Sequence, residues 1–284
     1  MSKIIICTTF REFRNNSNDA IQKNFLNSLE NQSESDFELV VTTFGEKNVK
    51  KVVKQHALKS TFFDNFNNKY RFSSTDVLYN GIKRIKKDTE ILIWTTCDIL
   101  LPTNFITTLL NSKLTNTCFS STPHNIIENG KKSFKFISGL DFVGFDSDFL
   151  SKKAVTEEIK EIKFNNWGGY EFFLTALAEK HHQKFQNLWP EIEISKIEND
   201  REMTNESYQY MMTNLVTNQS LLYKFLSDNK IHYFFPLGLF FILKLKPKKR
   251  VVYYYFSTCI HYLIFVTKEI ISMLFLKINK NQRQ

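Results

Sequence analysis

Scarce cysteine, apolar runs that do not clearly reach the length of a membrane span and almost no net charge over most of its length set the first limits on this 284-residue sequence. Its four cysteines, Cys7, Cys97, Cys118 and Cys259, are widely scattered and form no CxxC pair. That excludes a disulfide framework and the common zinc-ligand spacings, and predicts reduced, mostly buried thiols in a cytosolic protein. The adjacent His181 and His182 read as the polar end of a helix rather than as a metal site. Near the N-terminus, Ile4 to Cys7 is too short for the core of a signal peptide and reads as a strand. The loop after it, TTFREFRNNSND, contains no glycine, whereas a nucleotidyltransferase would place a glycine-rich, basic phosphate loop there.

The net charge of +9 is concentrated at one end. From Ile231 to Gln284 nine Lys/Arg stand against one acid, Glu269, which leaves 29 basic against 28 acidic residues in the rest. A phosphate-tracking surface needs clustered cations, so no nucleic-acid partner is expected for the main body. The tail alternates aromatic-rich apolar segments (IHYFFPLGLFFIL and VVYYYFSTCIHYLIFVT) with the basic cluster KLKPKKR. A spanning helix needs about 20 apolar residues and neither segment clearly reaches that. Apolar segments flanking cations fit helices lying in the headgroup region of an anionic membrane surface. Packing on the globular body or a dimer interface is the main alternative, and a short spanning or re-entrant helix a lesser one. The expected organisation is therefore a domain over residues 1–228 and a basic, helical, membrane-associating appendage over 229–284, with the chain peripheral on the inner, cytoplasmic face of the plasma membrane.

Within the first part, Lys3 to Thr8 and Phe37 to Thr43 are β-branched, apolar runs that predict strands. Ile21, Phe25 and Leu29 repeat every four residues, which predicts a helix between them. A short helix is expected over Lys47 to His56. Ser73 or Ser74 can cap another that carries Val77, Leu78, Ile82 and Ile85 as its apolar stripe, and it runs into a strand at Glu90 to Thr95. Alternating strands and helices, with strands apolar nearly throughout, predict an α/β fold with a mostly parallel sheet covered on both faces. Shorter strands are expected at Cys118–Thr122, Phe134–Ile137, Phe142–Phe145 and Glu191–Ile197, with helices after WGGYE and over Glu206–Ser227. Ligands of such sheets bind beyond the carboxyl ends of the strands. The polar strand ends Thr8-Thr9, Thr42-Thr43 and Thr95 to Asp98 should therefore converge.

The series KIIICTTFRE, FELVVTTFGE, STDVLYNGIKRI, TEILIWTTCDILLP and WGGYEFFLTAL resembles the GT-A glycosyltransferases of the family 2 type over residues 3–182. The resemblance implies a GT-A fold, a nucleotide-sugar donor and a saccharide or lipid-linked acceptor of the polysaccharide or lipopolysaccharide kind. It places Thr8, Thr9 and Arg11 in the loop after the first strand, Thr42 and Thr43 where the family has acids, Arg71 upstream of the helix and Asn80 at the helix asparagine. Thr95, Thr96, Cys97 and Asp98 fall on the Asp-x-Asp segment, with Asp98 the one acid retained. Mg²⁺ or Mn²⁺ is implied at Asp98. A cation such as Arg11 or Arg71 neutralising the diphosphate is the alternative, as is Asp98 acting only as a cap for a helix starting near Thr103.

The Trp-Gly-Gly-Glu-Asp segment matches Trp167 to Glu171, with Tyr170 on the first acid. Glu171 then falls on the catalytic base, and Trp167, Gly168, Gly169 and Asp141 on the acceptor side. Glu46 is a candidate for the nucleoside contact, and Asp76 shares a helix face with Asn80. Two other functions fit parts of the pattern: a non-catalytic nucleotide-sugar-binding or scaffold protein with lost acids, and a nucleotidyltransferase.

Overall fold

The computed structural model describes residues 2–14, 17–65, 73–121, 124–128, 131–135, 141–161, 170, 174, 177, 178, 180–188 and 191–197. The expected helix over Glu206–Ser227 and the whole basic appendage lie outside the described residues.

Strand β1 (Ile4–Thr8) runs parallel to β2 (Phe37–Thr43) on one side and to β4 (Ile91–Thr95) on the other, and β3 (Ser60–Asp64) continues the parallel set beside β2. Every residue of β1, β2 and β4 is buried, which is why these runs are apolar rather than alternating. Beyond β4 the sheet turns antiparallel through β9 (Phe142–Asp146), then continues with β6 (Thr117–Ser120) and β10 (Lys184–Asn187), giving seven strands in the order β10-β6-β9-β4-β1-β2-β3. This is a mostly parallel α/β sheet.

Side chains alternate between the faces of β1, so Ile4 and Ile6 join one layer and Ile5 and Cys7 the other. On the first face Ile4 and Ile6 share a core with Phe25, Leu26 and Leu29 of α1 (Ser17–Glu30), Val49 and Val53 of α2 (Val49–Val53), and Phe105, Ile106 and Leu109 of α4 (Phe105–Asn111). On the other lies α3 (Ser74–Ile82), capped by Ser73, whose hydroxyl accepts from the Asp76 N–H at 3.2 Å. A β-carbon on Gly81 would stand 3.0 Å from Cys7 Cβ and Sγ, so the missing side chain is what lets α3 lie this close to β1. Helices α5 (Ser147–Ser151) and α6 (Lys153–Glu161) follow β9.

A second sheet runs in the order β5-β11-β7-β8, from β5 (Ile99–Leu100), β11 (Ser195–Ile197), β7 (His124–Glu128) and β8 (Lys131–Lys135). It positions the site, because β11 pairs antiparallel with β5 and sets Lys196 opposite Ile99, next to Asp98.

Several expected boundaries shift. The helix expected over Lys47–His56 is the single turn α2, and the stripe expected to reach Ile85 stops with α3 at Ile82. The strand expected over Glu191–Ile197 shrinks to Ser195–Ile197, and that at Cys118–Thr122 becomes Thr117–Ser120. The strand expected at Phe134–Ile137 is β8, ending at Lys135 in its described part. Strands β3 and β10 were not expected. Both lie at sheet edges and are largely half-buried or exposed, so they lack the continuous apolar signature of the central strands.

Candidate functional site

Four parallel strands end at one edge of the main sheet, and threonines bind those ends together. Thr8 Oγ1 donates to the Thr95 carbonyl at 2.8 Å, joining β1 to β4, and Thr9 Oγ1 donates to the Thr42 carbonyl at 2.7 Å, joining β1 to β2. Asn80, buried on α3, donates from Nδ2 to Thr42 Oγ1 at 3.1 Å, and Thr43 Oγ1 donates to Asp64 Oδ1 at 2.5 Å. The expected gathering of Thr8, Thr9, Thr42, Thr43 and Thr95 is present. Their hydroxyls are spent largely on backbone and neighbouring side chains, which makes them the frame of the rim. Arg11 is exposed just past β1, and its backbone N–H donates to Gln22 Oε1 at 2.6 Å.

Past β4 the segment Thr95 to Asp98 divides by side-chain direction. The backbone N–H of Thr96 donates to the Asp141 carbonyl at 3.0 Å, and the hydroxyls of Thr95 and Thr96 reach that same oxygen at 3.2 and 3.3 Å. Cys97, expected among the donor contacts, packs its side chain in the core, with Sγ 3.6 Å from Gln22 Oε1. A thiol with apolar neighbours on that side is favoured inward. Asp98 is not the cap of the following helix: β5 intervenes, and α4 takes Asn104 as its N-cap with no side-chain bond.

Asp98 and Asp141 meet at one cation. The Lys196 ammonium lies 2.5 Å from Asp141 Oδ1 and 3.6 Å from Asp98 Oδ2. The Asp141 side chain is 8% exposed, that of Asp98 18% and that of Lys196 26%, so a partly exposed lysine stands against two largely covered carboxylates. Asp98 Oδ1 is buried and accepts no hydrogen bond among the described residues. Nothing in the sequence marked Lys196, which sits in IEISKIEND, 98 residues beyond Asp98, and only strand pairing brings the two together.

A second acidic group stands at the ends of β2 and β3. Asp64 holds Lys50 Nζ at 2.5 Å, and the hydrogen bonds from Lys50 and Thr43 keep its carboxyl below the ordinary range. It lies beside Thr43, where the resemblance implied acids on β2 itself. Glu46 curls back to accept from the Phe44 N–H at 2.6 Å, and burial pushes its carboxyl up. Asp76 accepts from Asn65 Nδ2 at 2.6 Å.

Arg71, Trp167, Gly168, Gly169 and Glu171 lie outside the described residues. Tyr170 is helical and fully buried, its ring edge-on to Trp94 at 5.4 Å between centroids. Burial raises its phenol well above the usual pKa. Where the resemblance aligned an acid, the chain thus places a core aromatic. His181 and His182 sit in a turn after helical Lys180, and His181 approaches Glu158 at 3.3 Å.

The described residues do not fit a divalent cation. No three His, Cys, Asp or Glu side chains gather among them at metal-ligand spacing. Mg²⁺ and Mn²⁺ are hard and are normally held by carboxylates together with substrate oxygens. Of the Asp-x-Asp positions, Thr95 is neutral and bonded to the Asp141 carbonyl, Cys97 faces the core, and the two carboxylates nearby already share an ammonium.

No family model matches the sequence, and no curated protein matches it. The fold does match solved structures. Mannosyltransferase PcManGT from Pyrobaculum calidifontis, in complex with GDP-Man and Mn²⁺, is similar over 77% of this chain and 64% of its own, with TM-score 0.50 and 11% identity. GalNAc-T7, with UDP, GalNAc and Mn²⁺, is similar over 76% of this chain and 48% of its own, with TM-score 0.51 and 12% identity. S. aureus TarS in complex with UDP matches 87% of this chain and 77% of its own at TM-score 0.45 and 12% identity. The chain therefore spans less than two thirds of the length of the first two. Identities this low carry the fold: this chain has the GT-A architecture.

Proposed function

We propose that the chain is a glycosyltransferase moving a sugar from a nucleotide-sugar donor to a hydroxyl of a lipid-linked or membrane-proximal saccharide, with inversion. One observation carries the reading. The polar ends of β1, β2 and β4 and the carboxylates of Asp98 and Asp141 share the rim beyond the carboxyl ends of the parallel strands, where open α/β sheets bind their ligands.

In this reading the donor diphosphate lies along the rim past Thr8, Thr9 and Thr96, and Arg11 and Arg71 flank it. Asn80 and Asp64 stand on the side of the nucleoside. The acceptor oxygen attacks the anomeric carbon from the face opposite the nucleotide. Its proton passes to the Glu171 carboxylate, and the electron pair of the breaking carbon–oxygen bond leaves on the diphosphate. Trp167 stacks on the sugar, and Gly168 and Gly169 let the backbone approach it. No step runs through Mg²⁺ or Mn²⁺, because Asp98 and Asp141 share Lys196. Residues 231–284 hold the chain on anionic lipid at the cytoplasmic face, beside the acceptor.

A donor screen on the full chain and on Glu171→Gln tests this. Turnover should fall by about 10²–10⁴-fold in the variant while nucleotide binding persists. The neutral Thr95 and Cys97 favour a second reading, a binding protein without turnover. Nucleotide-sugar binding with no product in either protein would establish that reading instead.

A further inference from the structure

We infer that Lys196 is the resident cation of the donor site, filling with a tethered ammonium the place a divalent ion takes beside paired carboxylates. The inference rests on the nucleotide-sugar reading above for its ligand and on the described geometry for its cation.

Three structural facts converge on it. First, the acid next to Asp98 comes from elsewhere in the chain. Thr95 and Thr96 hold the Asp141 backbone carbonyl through three hydrogen bonds, which sets the Asp141 carboxylate beside a segment whose one acid is Asp98. Second, the pair is bridged. Lys196 Nζ stands 2.5 Å from Asp141 Oδ1 and 3.6 Å from Asp98 Oδ2, so a metal bridging the two carboxylates through these oxygens would have to displace the ammonium. Third, the ammonium is held in register. Lys196 pairs with Ile99 on β5 and with Ile126 on β7, so its strand is fixed on both sides and its stem starts one residue from Asp98 along the β5 edge.

The chemistry follows from charge. Two carboxylates alone repel a diphosphate, and one ammonium between them halves that formal charge and adds N–H donors on a partly exposed side chain. When the anomeric carbon–oxygen bond breaks, its electron pair stays on the terminal diphosphate oxygen. Lys196 keeps its proton and donates a charge-assisted hydrogen bond to that oxygen, a contact that strengthens as charge builds. Asp98 and Asp141 orient the ammonium.

Mn²⁺ alone, followed by its paramagnetic resonance signal, tests the cation on the full-length protein without any nucleotide. Wild type should leave Mn²⁺ free, and Lys196→Met should gain a bound ion that the double variant Lys196→Met/Asp98→Asn loses. Mn²⁺ bound by wild type and released by Asp98→Asn overturns the inference, even if Lys196→Met fails to fold. So does a folded Lys196→Met that gains no ion.

Calorimetry with UDP and GDP in EDTA tests the anion. One of them should bind wild type and weaken roughly 10- to 100-fold in Lys196→Met, with Lys196→Arg retaining most of the affinity. Binding that appears only when Mn²⁺ is added overturns the inference while leaving the glycosyltransferase reading intact. Binding of neither nucleotide overturns the donor reading itself, and the resonance titration still decides whether Lys196 excludes the metal.

Discussion

Thr96 and Asp141, 45 residues apart, are joined backbone to backbone and hydroxyl to backbone through the single carbonyl oxygen of Asp141. This contact places a carboxylate from the start of β9 at the end of β4, where the chain's own segment offers threonine and cysteine. Replacing both Thr95 and Thr96 by valine removes two hydroxyl donors and keeps the backbone bond. Each lost bond should cost about 1 kcal/mol. Urea denaturation should show a drop of about 2 kcal/mol, and nucleotide affinity should fall with it because Asp141 and Lys196 lose their support.

Glu38 is a buried carboxylate on β2 that accepts from Arg84 Nε at 2.8 Å and Thr61 Oγ1 at 2.7 Å. Burial raises its pKa, and the bonds from Arg84 and Thr61 with the charges of Arg84 and Lys59 outweigh that, leaving it lowered. A folded-state pKa below the unfolded value of about 4.3 gives stability that is full above that value and is lost as pH falls through the folded pKa. Arg84→Met should cost about 1–3 kcal/mol at pH 7 by stranding the carboxylate. The penalty should shrink as pH falls through the lowered folded pKa, where Glu38 becomes neutral. Denaturant midpoints from pH 3 to 7 give both numbers.

Gly144 faces the Phe119 ring across the β6–β9 pair so closely that an added β-carbon would fall within the ring. Gly144→Ala must displace Phe119 from a core it shares with Phe142 and Phe105. The expected loss is about 1–3 kcal/mol or more, read as a lower thermal midpoint. The double change Gly144→Ala/Phe119→Leu should recover part of it. A single variant as stable as wild type would contradict the close approach.

Cys7 and Cys118 are fully covered, and burial raises both thiols far above the ordinary range. Because the thiolate is the reactive form, iodoacetamide should leave both unmodified in the native protein and label them once urea unfolds it. Peptide mass spectrometry separates the sites.

The proposed membrane contact of the tail predicts a salt-sensitive association. Vesicles rich in anionic lipid should sediment the full chain, and changing Lys246, Lys248, Lys249 and Arg250 to glutamine should weaken that by roughly 10²–10³-fold at low salt, from about 1 kcal/mol per cation. Binding unchanged by the substitutions, or equal on neutral vesicles, would remove the electrostatic part of the proposal.

The amino-acid order alone determined the central strands, the capped helix α3 and the convergence of Thr8, Thr42 and Thr95. Those features come from local periodicity and from burial on both faces, which leave apolar runs with polar ends. The edge strands β3 and β10 were illegible because half-exposed residues carry no such signature. The inward turn of Cys97 and the core position of Tyr170 were decided by neighbours distant in sequence, Gln22 and Trp94. So was the site's cation. Asp98, Asp141 and Lys196 come from three separate segments, and only the pairing of β11 with β5 and of β9 with β4 carries their charges to one point. A chain can display its strands in its residue pattern because burial acts residue by residue; which charges meet depends on register between strands, and register exists only in the folded sheet.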